Sequence, residues 1–270
     1  MYLDHWELGT RPFSNTPDPR FIYCSRSHEE ALTRLFYTVS QEKGAMVLTG
    51  DVGCGKTLLA RCFINELDPE RFELAVVARA DLAPGELLGE ILGQFSLPAG
   101  DPEARDAHLD RIHRLAEYVE RLRDAGRRAV VIIDECQLAS TEGQLEEMRL
   151  LLNMQRNDGY NLTLMLMGQP EFRRSLRRYE QLRQRMALRY HLGPLGADET
   201  PRYMRHRLRL AGARRVVFTP GAAAAVHAAS GGVPREINNL CDLAMMVAYG
   251  KRAAVVDETV VSETAKDMAA

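Results

Sequence analysis

The chain has 270 residues, 46% of them hydrophobic, enough to bury a large core and to divide into one substantial domain and a smaller one. Its 35 basic and 37 acidic side chains leave a net charge of −2, so any affinity for a polyanion must come from local clusters and not from bulk charge. Five cysteines at 24, 54, 62, 136 and 241, with no C-x-x-C pair, argue against a disulfide framework or a zinc site and fit a reducing cytoplasm. Nothing resembles a leader peptide or an apolar run of about 18 residues, so the chain as given is expected to be soluble, held at the inner face of a membrane only through a partner.

Residues 1–26 interleave Trp6, Phe13, Phe21 and Tyr23 with Pro12, Pro17 and Pro19, which predicts an extended arm that packs by its side chains, either as plain packing or as a wall of an adenine pocket. Ser27-His28-Glu29-Glu30 reads as a capping box opening a helix to about Glu42, with Ala31, Leu35, Phe36 and Val39 on one face.

An apolar run from Met46 then ends in Gly50, and Asp51, Val52, Gly53, Cys54, Gly55, Lys56, Thr57 and Leu58 follow. This order predicts a strand, a phosphate-binding loop and a helix. Glycines at 50, 53 and 55 let successive backbone N–H groups face phosphate oxygens, and the helix adds its positive end. Lys56 is placed to reach the β and γ phosphates of a nucleotide, and the Thr57 hydroxyl to hold Mg²⁺.

Beyond the loop the helix runs to Leu67, Phe72 to Ala78 reads as a buried strand, and Pro84 stands where a helix over 84–95 would begin. A joint from Pro98 to Pro102 leads to a helix of about 104–125, stopped by Gly126. Alternating strands and helices imply a parallel sheet covered on both faces. Ala129 to Ile133 is a buried strand that delivers Asp134 and Glu135 at its carboxyl end, where open parallel sheets bind ligands. Asp134 would hold Mg²⁺ through water and Glu135 would orient and activate the attacking water, an arrangement that favours hydrolysis over transfer.

Thr141 to Asn157 reads as a helix with Thr141 and Gln144 as its capping box, and Leu162 to Met167 as the next strand. Gln169, just past that strand, is either a contact to the γ-phosphate or the attacking water, or a turn residue. Arg173, Arg174, Arg177 and Arg178 fall on one side of a helix, with Arg183, Arg185 and Arg189 after them; the run is a solvated face or the source of a phosphate-stabilising finger. Tyr190 to Leu195 reads as the final strand. From Ala197 helices take over, at 198–211, 219–229 and a last one of about 234–249, whose first turn carries Arg235. The expected division is an arm over 1–26, an ATPase core over 27–196 and a helical lid over 197–270.

With the loop, the acidic strand, Gln169, Arg185 and the turn Gly232-Val233-Pro234-Arg235 in this order, the chain resembles an AAA+ ATPase. Met1-Tyr2-Leu3, Arg11-Pro12-Phe13-Ser14, Thr16-Pro17-Asp18-Pro19-Arg20, Gly168-Gln169-Pro170-Glu171 and Leu182-Arg183-Gln184-Arg185 sharpen this to the ExeA/GspA and MshM group, ATPases of type II secretion and of pilus assembly. The resemblance implies a P-loop NTPase fold with its parallel sheet sandwiched by helices and a small all-helical lid. It makes Gln169 the first sensor, Arg185 the arginine finger and Arg235 the second sensor, and it implies a ring or filament of identical chains. Two departures stand out. Arg79 ends the second strand where relatives have a small polar residue, and the transmembrane helix and peptidoglycan-binding domain of the secretion members are absent, so a stand-alone member or a fragment is expected. Two classes of function follow: an ATPase serving protein partners of secretion or pilus machinery, or a DNA-associated ATPase similar to transposon target-selection regulators.

Overall fold

The computed structural model describes residues 2–83, 85–98, 100, 106–156 and 159–269. The expected helix start at Pro84, residues 101–105 of the joint and of the following helix, Asn157 and Met1 lie outside the described residues. The chain forms two compact units, one of residues 28–51 and 59–192, the other of residues 1–27, 52–58 and 193–270.

The first of these units is built on a five-stranded parallel sheet. Its strands are β1 (Ala45–Gly50), β2 (Phe72–Val77), β3 (Arg128–Ile133), β6 (Leu162–Gly168) and β7 (Leu188–Leu192), in spatial order β2-β3-β6-β1-β7. Two-residue strands β4 (Gln155–Arg156) and β5 (Gly159–Tyr160) pair separately. Every residue of β1 and β6 is buried, whereas the edge strands β2 and β7 are partly open, as expected when helices cover both faces of a sheet. Register places Val47 beside Leu166 on one side and Arg189 on the other, and Ile133 beside Leu166. The carboxyl ends of β1, β3 and β6 therefore share one edge.

Local chemistry explains most helix ends here, and three expectations are corrected. Helix α2 (Arg26–Ser40) starts one residue before Ser27, so that serine lies in its first turn and is not its cap. Helix α6 (Glu142–Leu151) has the expected Thr141–Gln144 capping box, yet it stops at Leu151 and the chain goes on into β4. Strand β7 begins at Leu188 and ends at Leu192, ahead of Pro194, which has no N–H for the ladder. Helices α3 (Lys56–Glu66), α4 (Glu86–Gln94), α5 (Ala107–Asp124), α7 (Glu171–Arg178) and α8 (Glu180–Gln184) complete the alternation. Leu88, Ile91, Leu115, Val119 and Phe172 from these helices, with Met148 of α6, bury against Val131, Ile133, Leu164 and Leu166 of the sheet. Glu147, buried in this layer, caps α4 by accepting the Gly85 N–H at 2.9 Å, and burial raises its carboxyl pKa.

The other unit is helical: α9 (Glu199–Leu210), α10 (Pro220–Ser230), α11 (Pro234–Gly250) and α12 (Glu258–Ala269). Thr219 caps α10 by accepting the Ala222 N–H, with Pro220 at the first helical position. Helix α12 is a correction to the expectation that α11 is last; Val260, Val261 and Thr264 bury it against its neighbours. The arm packs by side chains as its composition implies, but it also contains a four-residue helix, α1 (Tyr2–His5). Trp6 is wholly buried and donates its indole N–H to the Met245 carbonyl at 3.2 Å. Arg207, 5% exposed, donates to Pro12 O at 2.6 Å, Ser14 O at 2.8 Å and the Tyr203 hydroxyl at 2.8 Å and lies over the Phe21 ring, so a buried cation clamps the arm.

Candidate nucleotide site

The segment 50–57 leaves the buried strand β1 and enters α3 at Lys56. Its glycines serve three different needs. Gly53 and Gly55 have φ of +84° and +96°, conformations that L side chains rarely adopt. A β-carbon on Gly50 would lie 2.5 Å from the Leu192 carbonyl oxygen, so this glycine admits the neighbouring strand. A β-carbon on Gly53 would lie 2.6 Å from Cβ of Arg235, and the Arg235 N–H donates to the Gly53 carbonyl at 3.3 Å. Lys56 is 8% exposed and Cys54 fully buried, while Asp51, Val52 and Thr57 are exposed and Gly53, Gly55 and Leu58 are half-buried. Arg235 thus rests on the loop through its backbone and stem, at the first turn of α11.

At the end of β3, Asp134 and Glu135 are half-buried. Asp134 is anchored by its N–H to Val77 O at 2.9 Å, and its Oδ1 accepts the Glu135 N–H at 2.8 Å. Glu135 has φ +52°, a left-handed conformation that costs on the order of 1–3 kcal/mol for a non-glycine residue and re-aims its side chain. Gln137, which sequence reading did not single out, donates from Nε2 to Glu135 Oε2 and accepts the Gln169 N–H at Oε1, 2.9 Å away. The structure therefore brings Asp134, Glu135 and Gln169 together at adjacent strand ends, with Gln137 between the last two. The signal was present in the spacing, since a glutamine two residues past a strand-end acid can fold back in a tight turn, but its second partner is 32 residues away.

The arginines separate. Arg173, Arg174, Arg177 and Arg178 are exposed on α7, which buries Phe172 and Leu176 on its other side. Arg183 pairs with Glu180 at 2.9 Å, and Arg189 lies in β7 with its guanidinium on the Arg183 carbonyl at 2.5 Å. Arg185 ends α8, half-buried, and donates from Nη1 to the Leu152 carbonyl at 3.0 Å. Arg79 is exposed and forks onto Asp81.

Among the described residues no three His, Cys, Asp or Glu side chains gather as a metal cage. Magnesium does not need one, because it commonly takes one or two protein oxygens and completes its shell with water and phosphate. The hydroxyl of Thr57 and the carboxylate of Asp134 are hard oxygen donors of that kind, at the end of the loop and at the end of β3.

Residues 39–176 match the family model described as AAA domain, half of the chain, and the chain belongs to that family. Its parallel sheet flanked by helices, with the glycine-rich loop after β1, is a P-loop NTPase fold. Among curated proteins it is 38% identical over 255 residues to General secretion pathway protein A of Aeromonas hydrophila, an alignment covering 93% of this chain and 45% of that protein. The chain thus spans less than half the length of this relative. Similar solved structures include the Aeropyrum pernix ORC2 protein (20% identity, 95% of this chain and 71% of that chain, TM-score 0.70). They also include Drosophila ORC bound to DNA (18%, 100% and 66%, TM-score 0.74) and the Thermotoga maritima RuvB Holliday junction branch migration motor (18%, 90% and 69%, TM-score 0.60). At these identities the likeness is one of fold. No helix among the described residues is long and apolar enough to cross a membrane.

Proposed function

We propose that this protein binds and hydrolyses ATP and that it forms ATP-dependent oligomers in support of secretion or pilus machinery. The observation that carries the ATPase reading is the shared edge of the sheet, where the carboxyl ends of β1, which the glycine-rich loop follows in the chain, and of β3, which the acid pair follows, flank that of β6. In this reading the loop amides of residues 50–57 and the Lys56 ammonium hold the phosphates. Thr57 and Asp134 would hold Mg²⁺, which when bound would neutralise phosphate charge. Glu135 accepts the proton of the attacking water, Gln169 orients that water or the γ-phosphate, and Arg235, already against Gly53, reaches the phosphates with its guanidinium. Arg185 acts on the nucleotide of the next subunit. The secretion role rests on the likeness to General secretion pathway protein A, and the five free cysteines fit a cytoplasmic setting. The division into arm 1–26, core 27–196 and lid 197–270 belongs to the same reading.

Glu135→Gln tests the chemistry. It retains Asp134 and the loop, so ATP should bind as in the parent while turnover falls at least ~10²-fold, the usual contribution of a positioned general base. Turnover at the parent rate would show that Glu135 is not the base.

A DNA-associated role is favoured by one observation, the exposed row Arg173, Arg174, Arg177 and Arg178 on α7. Duplex binding that weakens steeply with salt, and weakens less steeply once these four are replaced by alanine, would select it. Partner binding indifferent to salt selects protein remodelling.

A further inference from the structure

Gln137 sits in the short 3-10 turn Cys136–Leu138, two residues past Glu135. Which end of its amide faces which partner is decided by chemistry. The Gln169 N–H can only donate, so the carbonyl oxygen faces Gln169, and the amide nitrogen is left for the Glu135 carboxylate, which can only accept when ionised. The close approach depends on Gly168, where a β-carbon would come within 3.0 Å of Gln137 Oε1 and 3.2 Å of the Cys136 and Gln137 nitrogens. The turn is further held by Cys136, wholly buried with its thiol on the Ile133 carbonyl. Strands β3 and β6 are ladder neighbours, so the bridge closes across two adjacent strand ends.

We infer that Gln137 is a positioning residue, which fixes the Glu135 carboxylate relative to the end of β6 and so sets where the attacking water is deprotonated. The inference rests on the proposed hydrolysis by Glu135. A glutamate leaving a left-handed backbone position at a half-open strand end has several rotamers available, and one charge-assisted hydrogen bond selects among them. Gln137 touches no phosphate in this account. Its loss leaves ATP binding intact and lowers turnover, because a displacement of about 1 Å in a reacting group costs on the order of 10²-fold.

The test uses the full chain with Gln137→Ala and Gln137→Glu, each checked for folding by thermal melting. Gln137→Glu keeps an acceptor for the Gln169 N–H but sets a carboxylate against Glu135, so it separates the two arms of the bridge. Both variants should keep the parent's affinity for a fluorescent ATP analogue and lose ~10- to 10²-fold in kcat. Added to Glu135→Gln, the alanine change should lower the residual turnover no further, since the group it positions is already gone. A Gln137→Glu protein with the parent kcat overturns the inference, as does a full additive loss in the double variant or a loss confined to ATP affinity. A parent that does not hydrolyse ATP overturns the ATPase reading and this inference together; a parent that does, beside an equally active Gln137→Glu, overturns this inference alone.

Discussion

Lys56→Ala is expected to abolish measurable ATP binding. Lys56 is 8% exposed at the first turn of α3, and it is the only cation that the loop itself supplies. Two charge-assisted hydrogen bonds to phosphate contribute roughly 3–6 kcal/mol, about 10²- to 10⁴-fold in affinity. The loop amides remain in the variant but act through partial charges alone. Titration with a fluorescent ATP analogue measures this directly, with thermal melting to confirm that the variant is folded. An affinity equal to the parent's would remove the loop from the account, whatever Glu135 does.

The second large effect concerns Arg185. Removing an arginine that neutralises transition-state charge lowers turnover on the order of 10³-fold or more. Arg185→Ala should therefore bind ATP and hydrolyse it poorly. Within its own chain the guanidinium is occupied with the Leu152 carbonyl, one charge-assisted bond of about 1.5–3 kcal/mol, which contact with a phosphate dianion would more than replace. If the residue works in trans, two inactive proteins should repair each other. Arg185→Ala mixed with Glu135→Gln should regain part of the parent activity, because some interfaces then join an intact Glu135 to an intact Arg185. A purely structural Arg185 would give the opposite pattern, a lowered melting temperature and a mixture as inactive as its components, and would leave Arg183 and Arg189 as the candidate fingers. Arg189 is the weaker of the two on geometry, since it lies within β7 with its guanidinium on the Arg183 carbonyl.

The nucleotide loop and the acid pair were legible because each is written in consecutive residues. A buried strand, glycines with Lys56-Thr57, and an apolar run ending in Asp134-Glu135 are local patterns, and their strand and helix context follows from periodicity. Position alone marked Gln169 past a strand end and Arg235 on a first helical turn, and family resemblance supplied their sensor roles and singled out Arg185. Less legible were element limits such as the end of α6 and the start of β7, where local propensity yields to sheet pairing. Helix α12 went unread for a related reason. Thr259, Val260 and Val261 near its start are indifferent helix formers, and burial of Val260, Val261 and Thr264 makes the segment helical.

The sequence by itself determined that a glycine-rich loop and a strand-end carboxylate pair exist in a parallel α/β core, because those features depend on neighbours along the chain. Only the tertiary structure decided that β6 lies between β1 and β3, since strand order follows from how crossovers pack and not from any run of residues. Tertiary packing likewise supplies what no run of residues reveals: Gln137 reaching Gln169 across 32 positions, Gly50 yielding space to Leu192, and Gly53 accepting Arg235 from 182 positions along the chain. Each is a contact between residues far apart in sequence, set by a few ångströms of backbone approach that only the folded sheet and helices impose.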